Sequence, residues 1–395
     1  WAPLAASADA LCGKCHRKNA KELASSEHAK SGLQCLDCHG GNPNTEDQDQ
    51  AHAAGAGFQR HRSKPDIVKL CVRCHADPDR MRAHGLPTDQ YREYQTSYHG
   101  KALARGNTEV AVCTDCHGTH RILSAKDPES LVHPAQLPST CARCHSDAAL
   151  MKRHNLPADQ YEKYKSSVHG KAVLENGSQA APTCASCHGN HGALPPGHSD
   201  ISSVCGKCHT NTREQFAKGP HQQAMDRKNL SECVSCHSNH AIGRTSPSML
   251  TEMCGDCHAR NSSEFARGEE LQTMIEDSER TLAAQSRAVA QAKEKAWAVE
   301  ALEGKLQKAN TDLLQSAVAQ HTLSVREVDK SLTRVRALSA EVEDSLEEIQ
   351  GRVRARKIAA FYVLAFFGWI ACLLLIKRFQ TADAPVGDPE EYDHA

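Results

Sequence analysis

The chain has 395 residues, of which only 4% are aromatic and 39% hydrophobic, a thin apolar supply for the core of so long a protein. Its formal net charge of −1 gives no overall basic excess, which argues against nucleic acid as a partner. The unusual feature is 19 cysteines alongside 24 histidines.

The chain opens at Trp1 rather than Met, so a removed signal peptide is the expectation. The first stretch, 1–66, carries Cys12-Gly-Lys-Cys15-His16 and Cys35-Leu-Asp-Cys38-His39. Cys-x-x-Cys-His is the attachment sequence of c-type haem: two thiols add across the porphyrin vinyl groups, and the adjoining His becomes the proximal iron ligand. The residues from 40 to 64, Gly-Asn-Pro and Ala-Gly-Ala-Gly among them, read as a polar loop or short linker.

A duplication follows in 67–260. Cys71, Cys74 and His75, then Tyr98-His99-Gly100-Lys101-Ala102, then Cys113, Cys116, His117 and Gly-Thr-His120 are repeated seventy residues later. The second copy is Cys141, Cys144 and His145, then Val168-His169-Gly170-Lys171-Ala172, then Cys184, Cys187, His188 and Gly-Asn-His191. Further motifs stand at Cys205, Cys208 and His209, at Cys233, Cys236 and His237, and at Cys254, Cys257 and His258. Nine motifs use eighteen of the nineteen cysteines, leaving Cys372 in an apolar run. Zinc ribbons have no reason to place His after every second Cys, and a disulfide framework would not fix this spacing nine times. Nine covalent haem c groups are expected, supplying the apolar area the side chains lack.

Fifteen histidines are not proximal. His28, His99, His169 and His221 occupy one place in the repeat, ahead of the second motif, while His120, His191 and His240 each stand three residues past a proximal His. In the first unit Gly40-Gly41 replaces that His, and His52 is the natural substitute. These eight are the candidate distal ligands, and bis-His iron is the expectation. His84 and His154 match each other beside Leu-Pro and are weaker candidates; His61, His133 and His198 have no repeat support. In the ninth copy Phe265-Ala-Arg-Gly-Glu-Glu270 aligns with Phe216-Ala-Lys-Gly-Pro-His221, so Glu270 replaces the distal His. One iron then borrows a spare His or keeps an open face.

From 261 the composition turns to Ala, Glu, Lys, Leu, Gln and Ser. Leu271, Ile275, Leu282 and Val289 form one apolar stripe, and Val328, Leu332, Val335, Val342, Leu346, Ile349 and Val353 another. Ser324-Val-Arg-Glu327 reads as a capping box opening a new helix. The pattern predicts helices over about 262–296, 300–320 and from 324 on, a stalk at 261–357 that folds as antiparallel hairpins or pairs with another subunit. The last helix enters a stretch without charge, 358–376, long enough to span a bilayer, with a span assigned to 358–378. Four basic residues precede it and Lys377 and Arg378 follow, which alone would put the haem side in the cytoplasm. Covalent haem attachment overrides that bias, so 1–357 is expected outside an inner membrane and the acidic tail 379–395 inside.

The expected fold class is mainly α with little regular structure in the haem domain, a haem-packed multihaem cytochrome fold. A long helical hairpin or coiled coil and one C-terminal transmembrane helix follow. The Cys-His-Gly-Gly-Asn-Pro run at 38–43 with Ala51-His52, and Cys-His-Gly-x-His at 116–120 and 187–191, resemble motifs of multihaem c-type cytochromes with doubled attachment motifs, relatives of octahaem reductases and tetrahaem quinol dehydrogenases. The resemblance covers about 12–258 and implies that His52, His120 and His191 ligate iron. The quinol dehydrogenases carry an N-terminal anchor, whereas this apolar segment is C-terminal, so direct quinol oxidation by this chain alone is not expected.

Two functions follow from different classes. One is a periplasmic, membrane-tethered electron conduit serving a membrane electron-transfer complex, quinol-oxidising or similar, and periplasmic redox proteins. The other is a reductase of a small nitrogen or sulfur oxyanion at one five-coordinate haem.

Overall fold

A computed structural model describes residues 10–382, except 61, 198 and 199. His61, His198, the opening nine residues and the tail from 383 onward therefore lie outside the described residues. The described residues are mainly helical and include no strand. The chain divides into two compact units, Trp1–Ser246 and Pro247–Ala395. Eight motifs belong to the first, and the motif at 254–258 belongs to the second, so compactness and composition divide the chain at different residues.

The first unit is built of short helices. Cys35–His39, Cys113–His117 and Cys184–His188 are each a five-residue helix. One helical turn brings positions i, i+3 and i+4 to a common face, so both sulfurs and the imidazole leave the backbone on the same side. The third motif residue closes the turn: Asp37 accepts the Gln34 N–H at 2.7 Å, Asp115 the Val112 N–H at 2.8 Å, and Ser186 the Thr183 N–H at 3.0 Å. The chain must then leave abruptly. Gly118 and Gly189 do so at φ of +81° and +85°, backbone that disfavours any side chain.

The histidines at 28, 99 and 169 are each the second residue of a helix capped by a buried serine. Ser97 accepts the Gly100 N–H and Ser167 the Gly170 N–H, both at 2.9 Å, and Ser26 accepts the Ala29 N–H at 3.1 Å. The glycine after the imidazole is required by packing, since a Cβ at Gly100 or Gly170 would lie 2.0 or 1.9 Å from the Tyr94 or Tyr164 carbonyl oxygen. Those tyrosines in turn donate through their hydroxyls to Ala111 and Pro182 carbonyls, each at 2.9 Å, tying the inserted helix to the next motif.

The segment after His39 is a compact loop. The Gly41 N–H donates to Ala56 and the Asn42 N–H to Ala51, both at 3.0 Å, and a Cβ on Gly40 would meet the Gly57 oxygen at 2.3 Å. This closure carries His52 at the end of the short helix Gln48–Ala51.

In the second unit, helices Ser263–Glu294, Glu300–Ala319 and Val325–Ala382 are joined by short turns. Antiparallel packing follows from such turns. The bounds fall within a few residues of those the sequence pattern predicts. In the first unit, Gly219-Pro220 separates helix Thr210–Lys218 from Pro220–Lys228. Where Glu269 and Glu270 stand in place of Pro and His there is no break, and the helix runs on for 32 residues. Its root packs closely, with a Cβ on Gly268 set to meet the Leu250 oxygen at 2.3 Å.

Leu271, Leu282, Val328, Leu332 and Val342 are buried in the centre of the three helices, along the two predicted stripes. At the last turn, Leu323 takes φ +51° and Ser324 accepts the Glu327 N–H at 3.4 Å, which starts the final helix. That helix has 58 residues, about 87 Å at 1.5 Å per residue. Beyond the three-helix core its side chains, Phe361, Leu364, Phe367 and Trp369 among them, are exposed. It is a candidate membrane span, long and apolar enough to cross a bilayer, and none of its apolar window is buried.

Candidate functional site

Among the described residues of the first unit, histidine rings stand opposite one another, seven such pairs among them. His16 faces His52 with ring centres 6.0 Å apart, His75 faces His28 at 6.1 Å, and His39 faces His120 at 6.2 Å. His145 faces His99 at 6.2 Å, His117 faces His191 at 6.1 Å, His209 faces His169 at 6.3 Å, and His188 faces His240 at 5.9 Å. Each pair joins one motif histidine to one of the eight distal candidates. Two metal–nitrogen bonds of about 2 Å, with about 1 Å from each nitrogen to its ring centre, put trans imidazoles on one metal about 6 Å apart. The spacing therefore fits an iron between the rings, with the porphyrin edge held by the neighbouring cysteines.

The residues do not fit the alternatives. Among the described residues no three His, Cys, Asp or Glu side chains gather as a ligand set for a lone ion, and no disulfide joins the cysteines. Burial lowers the pKa of His28, His75, His99 and His145, and takes His117 down to about 4. Desolvation thus favours the neutral imidazole, the form that binds metal. Several rings are also oriented through their second nitrogen. His52 Nδ1 donates to the Gln48 carbonyl at 2.8 Å, and His120 and His191 turn Nδ1 toward Glu22 and Glu93 at 3.7 and 3.6 Å.

Six of these pairs join different repeats, and the exchange is reciprocal; His16 and His52 lie in the same one. The first repeat lends His28 to His75 of the second and receives His120 opposite its own His39. The second lends His99 to His145 and receives His191 opposite His117; the third lends His169 to His209 and receives His240 opposite His188. Backbone hydrogen bonds brace each exchange: the amides of Glu27, Tyr98 and Val168, one residue before the lent histidine, donate to the carbonyls of Ile122, Ala193 and Ile242, two residues beyond the received one.

Successive motifs also touch in chain order. The sulfurs of Cys71 and Cys113, of Cys141 and Cys184, and of Cys205 and Cys233 are in hydrogen-bonding contact. Between repeats, Cys38 lies within electrostatic range of Cys74, Cys116 of Cys141, and Cys187 of Cys205. The sites thus form one file from 35 to 237.

The remaining histidines lie outside these seven pairs. His154 Nε2 lies 3.2 Å from Glu109, and buried His133 accepts the Ala135 N–H through Nδ1 at 3.2 Å. His221 is the second residue of its helix, as His99 and His169 are of theirs. His221, His237 and His258 make contacts of their own outside these seven pairs. Recurrence in the sequence finds the two sets of distal candidates. It does not say which motif each one faces; the register of the exchange is visible only in three dimensions.

No curated protein matches the chain. Residues 27–147, which contain four of the motifs, match the family model described as cytochrome c3, and this match supports a multihaem c-type cytochrome.

Proposed function

We propose that this chain is a membrane-anchored electron conduit carrying nine covalently attached haem c groups. In this account residues 1–357 lie on the periplasmic side of the inner membrane and 358–378 span it. The partners are a membrane electron-transfer complex and periplasmic redox proteins. The observation that carries the proposal is the set of seven opposed histidine pairs, each beside a pair of motif cysteines, six of them along the file from 35 to 237. The cytochrome c3 match over 27–147 supports electron transfer, and the exposed apolar helix is consistent with anchoring.

Bound haem supplies reversible one-electron exchange at iron. The chain's own residues hold it still. At the seven pairs, two cysteines would hold each group through thioether links and two facing imidazoles would clasp it, drawn from different repeats in six of the pairs, so little would rearrange as charge moves. Where two facing imidazoles would hold the iron, as at these seven pairs, small oxyanions would find no open site. The test is an optical and EPR spectrum of the purified holoprotein. A predominantly low-spin spectrum, unchanged by cyanide, nitrite or hydroxylamine, is expected. A high-spin component that shifts on adding them would overturn the proposal in favour of a reductase.

A further inference from the structure

Haem attachment leaves the two residues between the motif cysteines free to vary, yet their charges follow a pattern at the repeat junctions. The third position is basic in the first motif of the later repeats (Arg73, Arg143 and Lys207), and Asp37, Asp115 and Ser186 hold that position in the motifs just before them. The structure gives the pattern a geometry. Arg73 Nη2 donates to the Asp37 carbonyl at 2.8 Å, and Arg143 Nη2 donates to the Asp115 carbonyl. Each guanidinium thus crosses from the opening motif of one repeat to the closing motif of the one before.

The acidic side chains at these junctions are engaged elsewhere, Asp37 with the Gln34 N–H at 2.7 Å, and Asp115 with the Val112 N–H at 2.8 Å and Lys64 at 3.2 Å. Arg73 lies within electrostatic range of Cys38, Arg143 of Cys116, and Lys207 of Cys187. At the first junction Arg62 adds a second cation, donating to the Cys38 carbonyl at 2.6 Å.

We propose that Arg73 and Arg143 are positioning residues that fasten consecutive repeats and, with Lys207 at the third junction, hold a positive charge beside both attachment sites, favouring reduced iron at each junction. The assignment rests on haem attachment at these motifs. Adding one electron to ferric iron lowers the site's charge by one unit, so a nearby fixed cation stabilises the reduced form and its removal lowers the reduction potential. All three side chains are exposed, so added salt screens the effect.

The test is a spectroelectrochemical titration of full-chain holoprotein, wild type against R73Q, R143Q and R73K, at low and high salt. Haem content is read by intact mass. In R73Q and R143Q with full haem content, part of the titration curve moves to lower potential, and the displacement shrinks in high salt. R73K restores the wild-type curve, and R82Q, whose arginine pairs with Asp79 on the surface, leaves it unmoved. Superimposable curves for wild type and both glutamine variants, at full haem content, would overturn the proposal while leaving the conduit intact. If the arginine variants do not assemble, K207Q carries the same reading: a lowered curve supports the proposal and an unmoved curve overturns it. Wild-type protein without bound haem would instead mean failure of the proposed function itself.

Discussion

At the scale of single residues, the site depends on a glycine as much as on its histidines. Gly100 follows His99 where a Cβ would sit 2.0 Å from the Tyr94 carbonyl oxygen. Gly100→Ala must shift the helix that carries His99, and the ring facing His145 moves with it. One haem is expected to gain a high-spin component while its covalent attachment, read by intact mass, survives; an unchanged spectrum would contradict this. Ring orientation gives a second prediction. The planes of His16 and His52 are 82° apart, whereas those of His117 and His191 are 12° apart. Near-perpendicular imidazoles leave the iron orbitals that share the unpaired electron close in energy, and near-parallel ones split them. The most anisotropic low-spin EPR signal is therefore assigned to the His16–His52 pair. His52→Met should abolish that signal and His191→Met should leave it in place.

At the scale of elements, the stalk was the most legible part of the sequence. A three-four apolar rhythm and Ser324 as a cap were enough to place three helices, because local hydrogen bonding and one buried stripe decide their bounds. The haem unit was less legible. Its helices are too short for periodicity to show; their ends are set by Ser97 and Ser167 caps and by glycines that tight packing requires. Stability of the stalk should follow ordinary core rules. Leu332 is fully buried, so Leu332→Ala should cost about 2–5 kcal/mol of bundle stability. Asp312 behaves differently. It is buried with Oδ2 lacking a hydrogen bond, and its partner Arg334 sits 3.5 Å from Oδ1. Asp312→Leu should therefore be neutral or stabilise by about 1 kcal/mol, since burying a poorly paired charge costs more than it returns. Thermal unfolding of both variants checks the signs, and a large loss in Asp312→Leu would contradict the account.

At the scale of the whole molecule, the reciprocal exchange of facing histidines makes the first unit a chain of interlocked repeats. His191 belongs by sequence to the motif at 184–188 but faces His117. His191→Ala should therefore perturb the haem attached through Cys113 and Cys116, not the one attached through Cys184 and Cys187. Combining it with removal of either attachment motif tells the two apart: the added high-spin signal disappears only when the 113–117 motif is lost. The sequence could show that His120, His191 and His240 recur; it could not show this partnering, because contact between repeats leaves no trace in spacing. The central claim is the number of haems fixed to the chain. Intact-mass measurement of the denatured holoprotein tests it most directly. Nine haem additions on one polypeptide are predicted, and bare protein or distinctly fewer additions than motifs would contradict the account.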